Sequence, residues 1–438
     1  MLAYYLRLGL HSLRRNPILT ALMVMAVGFG VASSMTTYAV FRAVSGNPLP
    51  DKSTQLFAPQ IDVWGPDSRA RGRDIPDALT YKDATALMHE HKAARQTAIY
   101  PVGFTLVPRD AAREPFAVSG YAAYADFFPM FEVPFLYGSG WNAAQDEARA
   151  TVVVISSKLN QQLFGGANSV GQTVHLDDHD YQVIGVAADW NPRPRFYDVN
   201  NSSGFTDPPD FFLPFTRAID TQTETAGNDN CFGSGGRKPG FDGWLQSECA
   251  WVSYWVELPD AAAVRAYRSY LLGYADEQRQ AGRFHWPSYV TLRNLTEWMD
   301  YERVVPPETR ISLVLSLGFL LVCLVNTVGL MLAKFMRRAG EIGVRRALGA
   351  SRREIWLQYL AEAAIVGVSG GLAGVMLTGL GVLGVGLVFE PDIARLAHIN
   401  LGLVGLTLLC SLVATLGAAF YPTWRASRVQ PAWQLKSH

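Results

Sequence analysis

Net charge, cysteine and nucleotide-binding chemistry are all scarce in this chain, and each shortage excludes something. Lysine plus arginine number 38 and aspartate plus glutamate number 38, so the formal net charge is zero. A protein that grips nucleic acid through phosphates needs a basic excess, which is absent. With 49% hydrophobic residues, the composition is not that of a disordered chain either. Four cysteines in 438 residues are too few for a disulfide-built scaffold. The nearest approach to a phosphate-binding loop is "GANSVGQT", Gly166 to Thr173, with Gln172 where the lysine is required. It leads into a strand-like stretch rather than a helix, so it is set aside. His89 and His91 are two apart and diverge by about 200° on a helix, which prevents a shared metal. His175 and His179, among Asp177, Asp178 and Asp180, read as a solvated acidic turn. No nucleophile–histidine spacing is recognisable. Neither a catalytic set nor a metal site is expected, and the chain does not read as an enzyme.

Long apolar runs, by contrast, are plentiful. Four stand out: Pro17 to Val40, Ile311 to Phe335, Leu357 to Leu387 and Leu401 to Tyr421. Each reaches the ~20 residues that a helix needs to cross a bilayer core of roughly 30 Å. The first is longer than the apolar core of a cleavable signal and reads as an anchor. Basic residues cluster at Arg7, Arg14 and Arg15, again from Lys334 to Arg353, and again at Arg425, Arg428 and Lys436. The positive-inside rule puts all three clusters in the cytoplasm, which four crossings allow. The expected fold is therefore an α-helical membrane protein with four transmembrane helices. A large mixed α+β extracytoplasmic domain is inserted between helices 1 and 2. The expected order is an interfacial cytoplasmic helix (1–16), helix 1 (17–42), the outer domain (43–308), helix 2 (309–336), a cytoplasmic coupling loop (337–356), helix 3 (357–388), an outer loop (389–400), helix 4 (401–422) and a cytoplasmic tail (423–438). The polar stretch Ala43 to Glu308 carries 22 basic and 33 acidic residues, a net −11.

Within that domain, "TVVVISSKLNQQLFGG" reads as a strand and then a helix capped by Ser156 or Ser157 and stopped at Gly165. "QTVHLDDHDYQV" reads as a hairpin, and a helix is expected after Asp260. The Pro-, Gly- and Asn-rich run from Trp190 to Gly243 reads as loops. Cys231 and Cys249 bracket a loose segment in an oxidising compartment and are expected to form a disulfide. In the membrane, Asn326 and Glu362 are costly polar groups for which interhelical hydrogen bonding is expected. Gly367 with Gly371, and Gly370 with Gly374, give G-x-x-x-G spacings suited to close helix packing.

The most informative stretch is "EIGVRRALGASRREIW", Glu341 to Trp356, highly charged yet lying between two apolar runs. Glu341 and Arg345 are an i,i+4 pair. Gly349 supplies a helix stop, and Ser351 with Glu354 forms a capping box for a second helix. A cluster serving only topology and anionic lipid contact would explain the charge. It would not explain two caps around the small Gly349–Ala350–Ser351 turn, which suggest a shaped docking surface.

This stretch resembles the signature of the MacB/FtsX-type ABC transporter permeases. The resemblance runs from Asn326 through "EIGVRRALGASRREIWLQYLAEA" and "GGLAG" to "YPTWRASRVQPAWQL", which ends at Leu435. In the outer domain, "YADFFPMFEVPFLYGSGW" and "VVVISSKLNQQLFGGANSVGQTVHLDDHDYQVIGVAAD" are similar to the MacB periplasmic core pattern; residues 192–247 match least. The resemblance implies a permease that dimerises with a second copy or a related permease. It implies a dimeric ABC ATPase docked on Glu341, Arg345, Arg346, Gly349, Ala350 and Ser351. The chain starts almost at its first apolar run, so the ATPase, with its ATP and magnesium, is expected on another polypeptide and no cofactor on this one. Export of a peptide, lipid-linked or drug-like substrate across a bacterial inner membrane is the leading expectation. A membrane-fusion protein and an outer-membrane channel are further candidate partners. The alternative is a mechanotransmission or sensory protein that regulates an envelope enzyme or kinase.

Overall fold

The computed structural model describes residues 16–70, 75–108, 113–201, 204–231, 236–305, 307–388 and 401–427. The interfacial helix expected at 1–16, the outer loop at 389–400 and the end of the tail lie outside the described residues. The chain forms two compact units, Gly46–Val304 and a helical unit made from Met1–Ser45 with Val305–His438.

Helix α1 (Pro17–Val44) opens the described chain. The mixed unit then runs β1 (Leu56–Ile61), β2 (Leu79–Thr80), α2 (Tyr81–Glu90), β3 (Arg95–Val107), β4 (Phe116–Ala123), β5 (Phe135–Gly138), α3 (Ala143–Glu147), β6 (Val152–Ser156), α4 (Ser157–Phe164), β7 (Thr173–Leu176), β8 (His179–Ala187), β9 (Phe211–Pro214), α5 (Phe215–Asp220), β10 (Ala250–Glu257), α6 (Ala261–Gln280), β11 (Val290–Asn294) and α7 (Leu295–Tyr301), joined by shorter turns. The helical unit resumes with α8 (Pro307–Arg337), α9 (Ala339–Ala347), α10 (Arg352–Val388) and α11 (Leu401–Ser427).

One sheet organises the mixed unit, in the order β11-β1-β10-β3-β4-β9-β6-β8-β5. It is mostly antiparallel, with parallel pairs at β4/β9 and β6/β8. Strand β10 is buried along its whole length, so "AWVSYWVE" has no polar face to alternate with. The local signals fold as their chemistry dictates. Ser156 accepts a hydrogen bond from the Leu159 amide at 3.1 Å, and Gly165 ends α4 at φ 66°. The β7–β8 hairpin turns on Asp177, which lies at φ 48° and whose carboxylate accepts from the Thr105 amide. Asp260 caps α6 by accepting from the Ala262 and Ala263 amides.

The run from Trp190 to Gly243 corrects the expectation of loops. It holds β9, a fully buried strand between β4 and β6 in the middle of the sheet. Four residues buried on both faces show no alternation, and the flanking prolines hid the strand. Its close fit against β4 depends on Gly120, where a Cβ would lie 2.4 Å from the Phe211 carbonyl oxygen. Cys231 and Cys249 are joined by a disulfide across 18 residues. Closing such a loop is worth about 3 kcal/mol in the chain-entropy model. Nearby, Arg283 grips Asp83 with both terminal nitrogens, at 2.5 and 2.8 Å, and Glu248 at 2.7 Å. Bidentate charged contacts of this kind fix geometry as well as adding energy.

In the helical unit, four helices are long and apolar enough to cross a membrane: Pro17–Arg42, Glu308–Arg337, Arg352–Gly384 and Leu401–Trp424. The two glycine doublets of α10 face different neighbours. A Cβ on Gly370 would come within 2.9 Å of Val27 on α1, and Gly374 also faces α1. Gly367 and Gly371 instead face Thr415 and Ser411 on α11, and the Ser411 hydroxyl donates to the Gly367 carbonyl at 2.7 Å. Small residues thus let α10 approach two helices at once.

Candidate functional site

Between α8 and α10 the chain makes a compact elbow. Helix α9 ends at Ala347 with Leu348 as its C-cap, and Gly349 turns the chain at φ 101°, a conformation costly for any residue with a Cβ. The Gly349 amide donates to the Arg346 carbonyl and the Ala350 amide to the Arg345 carbonyl. The Ser351 hydroxyl then accepts from the Glu354 amide at 3.2 Å, and the Glu354 carboxylate accepts from the Ser351 amide at 2.8 Å. That capping box starts α10, which continues unbroken into the apolar span. The coupling loop expected at 337–356 is thus a short helix, a turn and the first turn of a long helix.

Two contacts fasten the elbow to the helices. Arg345 donates to Glu341 at 2.8 Å and to Gln358 at 2.9 Å, tying α9 to α10. Ile342 is buried in a cluster with Met23 of α1, Phe335 of α8, Tyr359 of α10 and Ala419 of α11. Any displacement of α9 therefore bears on all four long helices. Ala350 packs partly against the same cluster.

The outward face carries residues that sequence reasoning missed. Val344 is 57% exposed and Leu348 82% exposed, one turn apart, beside exposed Glu341. A protein-binding surface typically centres on such apolar anchors, with charges at the rim. Their spacing was visible, but the arginines around them drew the reading toward charge.

Just inside the elbow, Lys334 of α8 and Glu362 of α10 form an ion pair, with side chains 2% and 4% exposed. Glu362 was expected to bond between helices, whereas Lys334 was counted among the cytoplasmic basic residues. The two flank Gly349 at similar distances along the chain, which is the signal that a helical hairpin would pair them. Asn326 lies differently: its side chain is exposed on α8, near the exposed Leu321, Val322 and Val325.

Metal-ligating chemistry is sparse among the described residues. Asp229, Cys231 and Cys249 have ligand atoms within 4.8 Å of one another. The two sulfurs are bonded to each other and so are not thiolates. His175 pairs with Asp180 at 2.8 Å across the β7–β8 hairpin strands. "GANSVGQT" runs into β7 and not a helix.

Four helices long and apolar enough to cross a membrane, a structured elbow between two of them and a mixed α/β unit make up the frame of the chain. The chain matches the MacB-like periplasmic core domain over residues 20–272 and the FtsX-like permease C-terminal over residues 313–431. It belongs to the MacB/FtsX-type ABC transporter permease family. It is 28% identical over 317 residues to the pyoverdine export ATP-binding/permease protein PvdT of Pseudomonas aeruginosa, covering 71% of this chain and 41% of that protein. It is 25% identical over 437 residues to the macrolide export ATP-binding/permease protein MacB of Azoarcus sp. (strain BH72), covering 98% of this chain and 59% of that protein. The chain thus spans about half the length of these curated relatives. The crystal structure of the periplasmic region of MacB from Actinobacillus actinomycetemcomitans aligns at 14% identity and a TM-score of 0.36, over 56% of this chain and 92% of that one.

Proposed function

We propose that this chain is the permease subunit of an ABC transporter in a bacterial inner membrane, and that its elbow receives a cytoplasmic ATPase carried on a separate subunit. The observation that carries this reading is the face of α9. Val344 and Leu348 stand exposed on a helix whose opposite side, Ile342, is pinned into the four-helix cluster. A partner that presses on that face would move the helices that continue from the elbow. ATP and magnesium would be held by the partner. In this reading both termini and the elbow are cytoplasmic, and Gly46–Val304 lies on the periplasmic side. The exposed face of α8, with Asn326, would meet a second permease copy, where a polar group finds a partner that lipid cannot offer. Export fits the names of the relatives, and the cargo class would be a peptide, lipid-linked or drug-like molecule. A membrane-fusion protein and an outer-membrane channel would extend the route.

The test is co-purification of the ATPase with wild type and with Leu348→Asp, together with the stimulated rate of hydrolysis. Leu348→Asp should insert normally, because the side chain packs against little of its own chain. It should weaken association tenfold or more, roughly the loss expected at an interface hot spot. Wild-type association and stimulation by a normally inserted Leu348→Asp would refute the docking role.

A further inference from the structure

Reduction of the Cys231–Cys249 disulfide would leave two thiols that the backbone still holds side by side. Asn230 and Ala250 form an antiparallel bridge, with the Asn230 amide donating to the Ala250 carbonyl at 3.1 Å and the reverse bond at 2.9 Å. Cys231 and Cys249 are the next pair along, their Cα atoms 4.2 Å apart. In an antiparallel ladder the pair beside a hydrogen-bonded one has the closer side chains. The bridge is made without the sulfurs, so opening the S–S bond does not by itself separate them.

A third ligand stands beside them. Asp229 precedes Cys231 by two residues, a spacing that puts both side chains on one side of an extended segment. Ligand atoms of Asp229, Cys231 and Cys249 all lie within 4.8 Å of one another. The two carboxylate oxygens are engaged differently. Oδ2 accepts from the Trp244 indole at 2.9 Å and lies 3.6 Å from an Arg237 terminal nitrogen. Oδ1 faces Cys231 Sγ, 3.7 Å away, although a sulfur in a disulfide has no proton to give it. Trp244 is itself fixed, fully buried and stacked on Trp251 with ring centroids 4.1 Å apart. A ligating carboxylate is typically held in this way, tied by an outer hydrogen bond while an oxygen stays open to the metal.

We propose that the reduced arm from Cys231 to Cys249 binds a thiophilic divalent cation of the zinc class, held by the two sulfurs and Asp229 Oδ1. Two thiolates with one carboxylate suit such an ion, whereas calcium and magnesium take oxygen ligands. Three protein ligands leave a tetrahedral ion one position for water. In the first step a dithiol reductant gives two electrons and two protons to the Cys231–Cys249 bond and closes to its own disulfide. In the second, the ion displaces both thiol protons to solvent and forms two metal–sulfur bonds and one metal–oxygen bond. Arg237 offsets part of the negative charge that the three ligands bring beyond that of the ion. The disulfide and the metal-bound form exclude each other, so the ion staples the arm when the disulfide cannot. The site lies within Gly46–Val304 and does not depend on the elbow's role.

The experiment is anaerobic titration of the full chain in lipid nanodiscs with cobalt(II), a spectroscopic stand-in for zinc, after reduction by a dithiol and its removal by gel filtration. Reduced wild type should take up one cobalt per chain, with a thiolate-to-cobalt charge-transfer band of two-thiolate intensity that added zinc abolishes. The oxidised chain, which keeps Cys323 and Cys410 as free cysteines, should show no such band. Asp229→Asn should keep the band but weaken affinity by about tenfold or more, the loss usual even for an outer partner of a metal ligand. Mass mapping of the disulfide in oxidised Asp229→Asn shows that the arm still folds. No stoichiometric band in the reduced wild type, a band of one-thiolate intensity, or wild-type affinity in Asp229→Asn would overturn the proposal.

Discussion

The ion pair between Lys334 and Glu362 is where the elbow account can be put under most strain. Both side chains are almost wholly buried, so neither charge is repaid by water. Replacing Glu362 by glutamine keeps the shape but removes the countercharge, leaving an ammonium inside the helix cluster. Breaking a buried pair in this way costs about 3–5 kcal/mol, whereas replacing both partners by apolar residues of similar volume is often neutral. Glu362→Gln and Lys334→Met should therefore each destabilise the helical unit by roughly that amount. The double variant Lys334→Met/Glu362→Leu should lie within about 1 kcal/mol of wild type, a strongly non-additive cycle. The assay is reversible unfolding in mixed detergent micelles, followed by helical signal, with stimulated ATP hydrolysis measured alongside. Single variants that each cost under about 1 kcal/mol and sum in the double would show that the charges do not depend on one another. If the double variant is stable yet no longer couples to the ATPase, the pair serves motion rather than stability.

Two further outcomes follow from packing and titration. Gly370→Val should destabilise the helices by about 1–3 kcal/mol through overpacking against Val27. Gly384→Val, where nothing lies within 4 Å, should be tolerated, and thermal melts of the two variants make the comparison. Burial raises the Asp146 carboxyl to about 7 and the Asp198 carboxyl to about 6, from 3.8. The folded domain keeps protons that the unfolded chain has lost, so this stability is full below about pH 4 and is lost as pH rises through 6 to 7. Urea unfolding of the wild type against Asp146→Asn across that window should show a flatter pH dependence in the variant; identical slopes would rule the Asp146 contribution out.

The elbow was legible because its signals are local. A glycine at a left-handed position, a serine with a glutamate three residues on, and an i,i+4 charge pair act within one or two turns. The hairpin at Asp177 and the cap at Ser156 were readable for the same reason. What escaped reading depends on partners distant in sequence. Strand β9 is a strand because β4 and β6 flank it, and nothing in "FFLP" declares a period. The glycine doublets announced close approach, but not that one faces α1 and the other α11. Lys334 looked topogenic until α10 placed Glu362 beside it. Val344 and Leu348 were hidden by a correct observation, that their neighbours are charged.

An elbow that receives an ATPase must touch it, and site-specific photo-crosslinking reports that contact most directly. A photoreactive residue placed at Leu348 should capture the ATPase subunit in native membranes, with the same residue at Leu383, near the far end of α10, giving no such product. Efficient capture from Leu383, or none from Leu348 while the complex remains assembled, would contradict the claim that this turn is where the force enters.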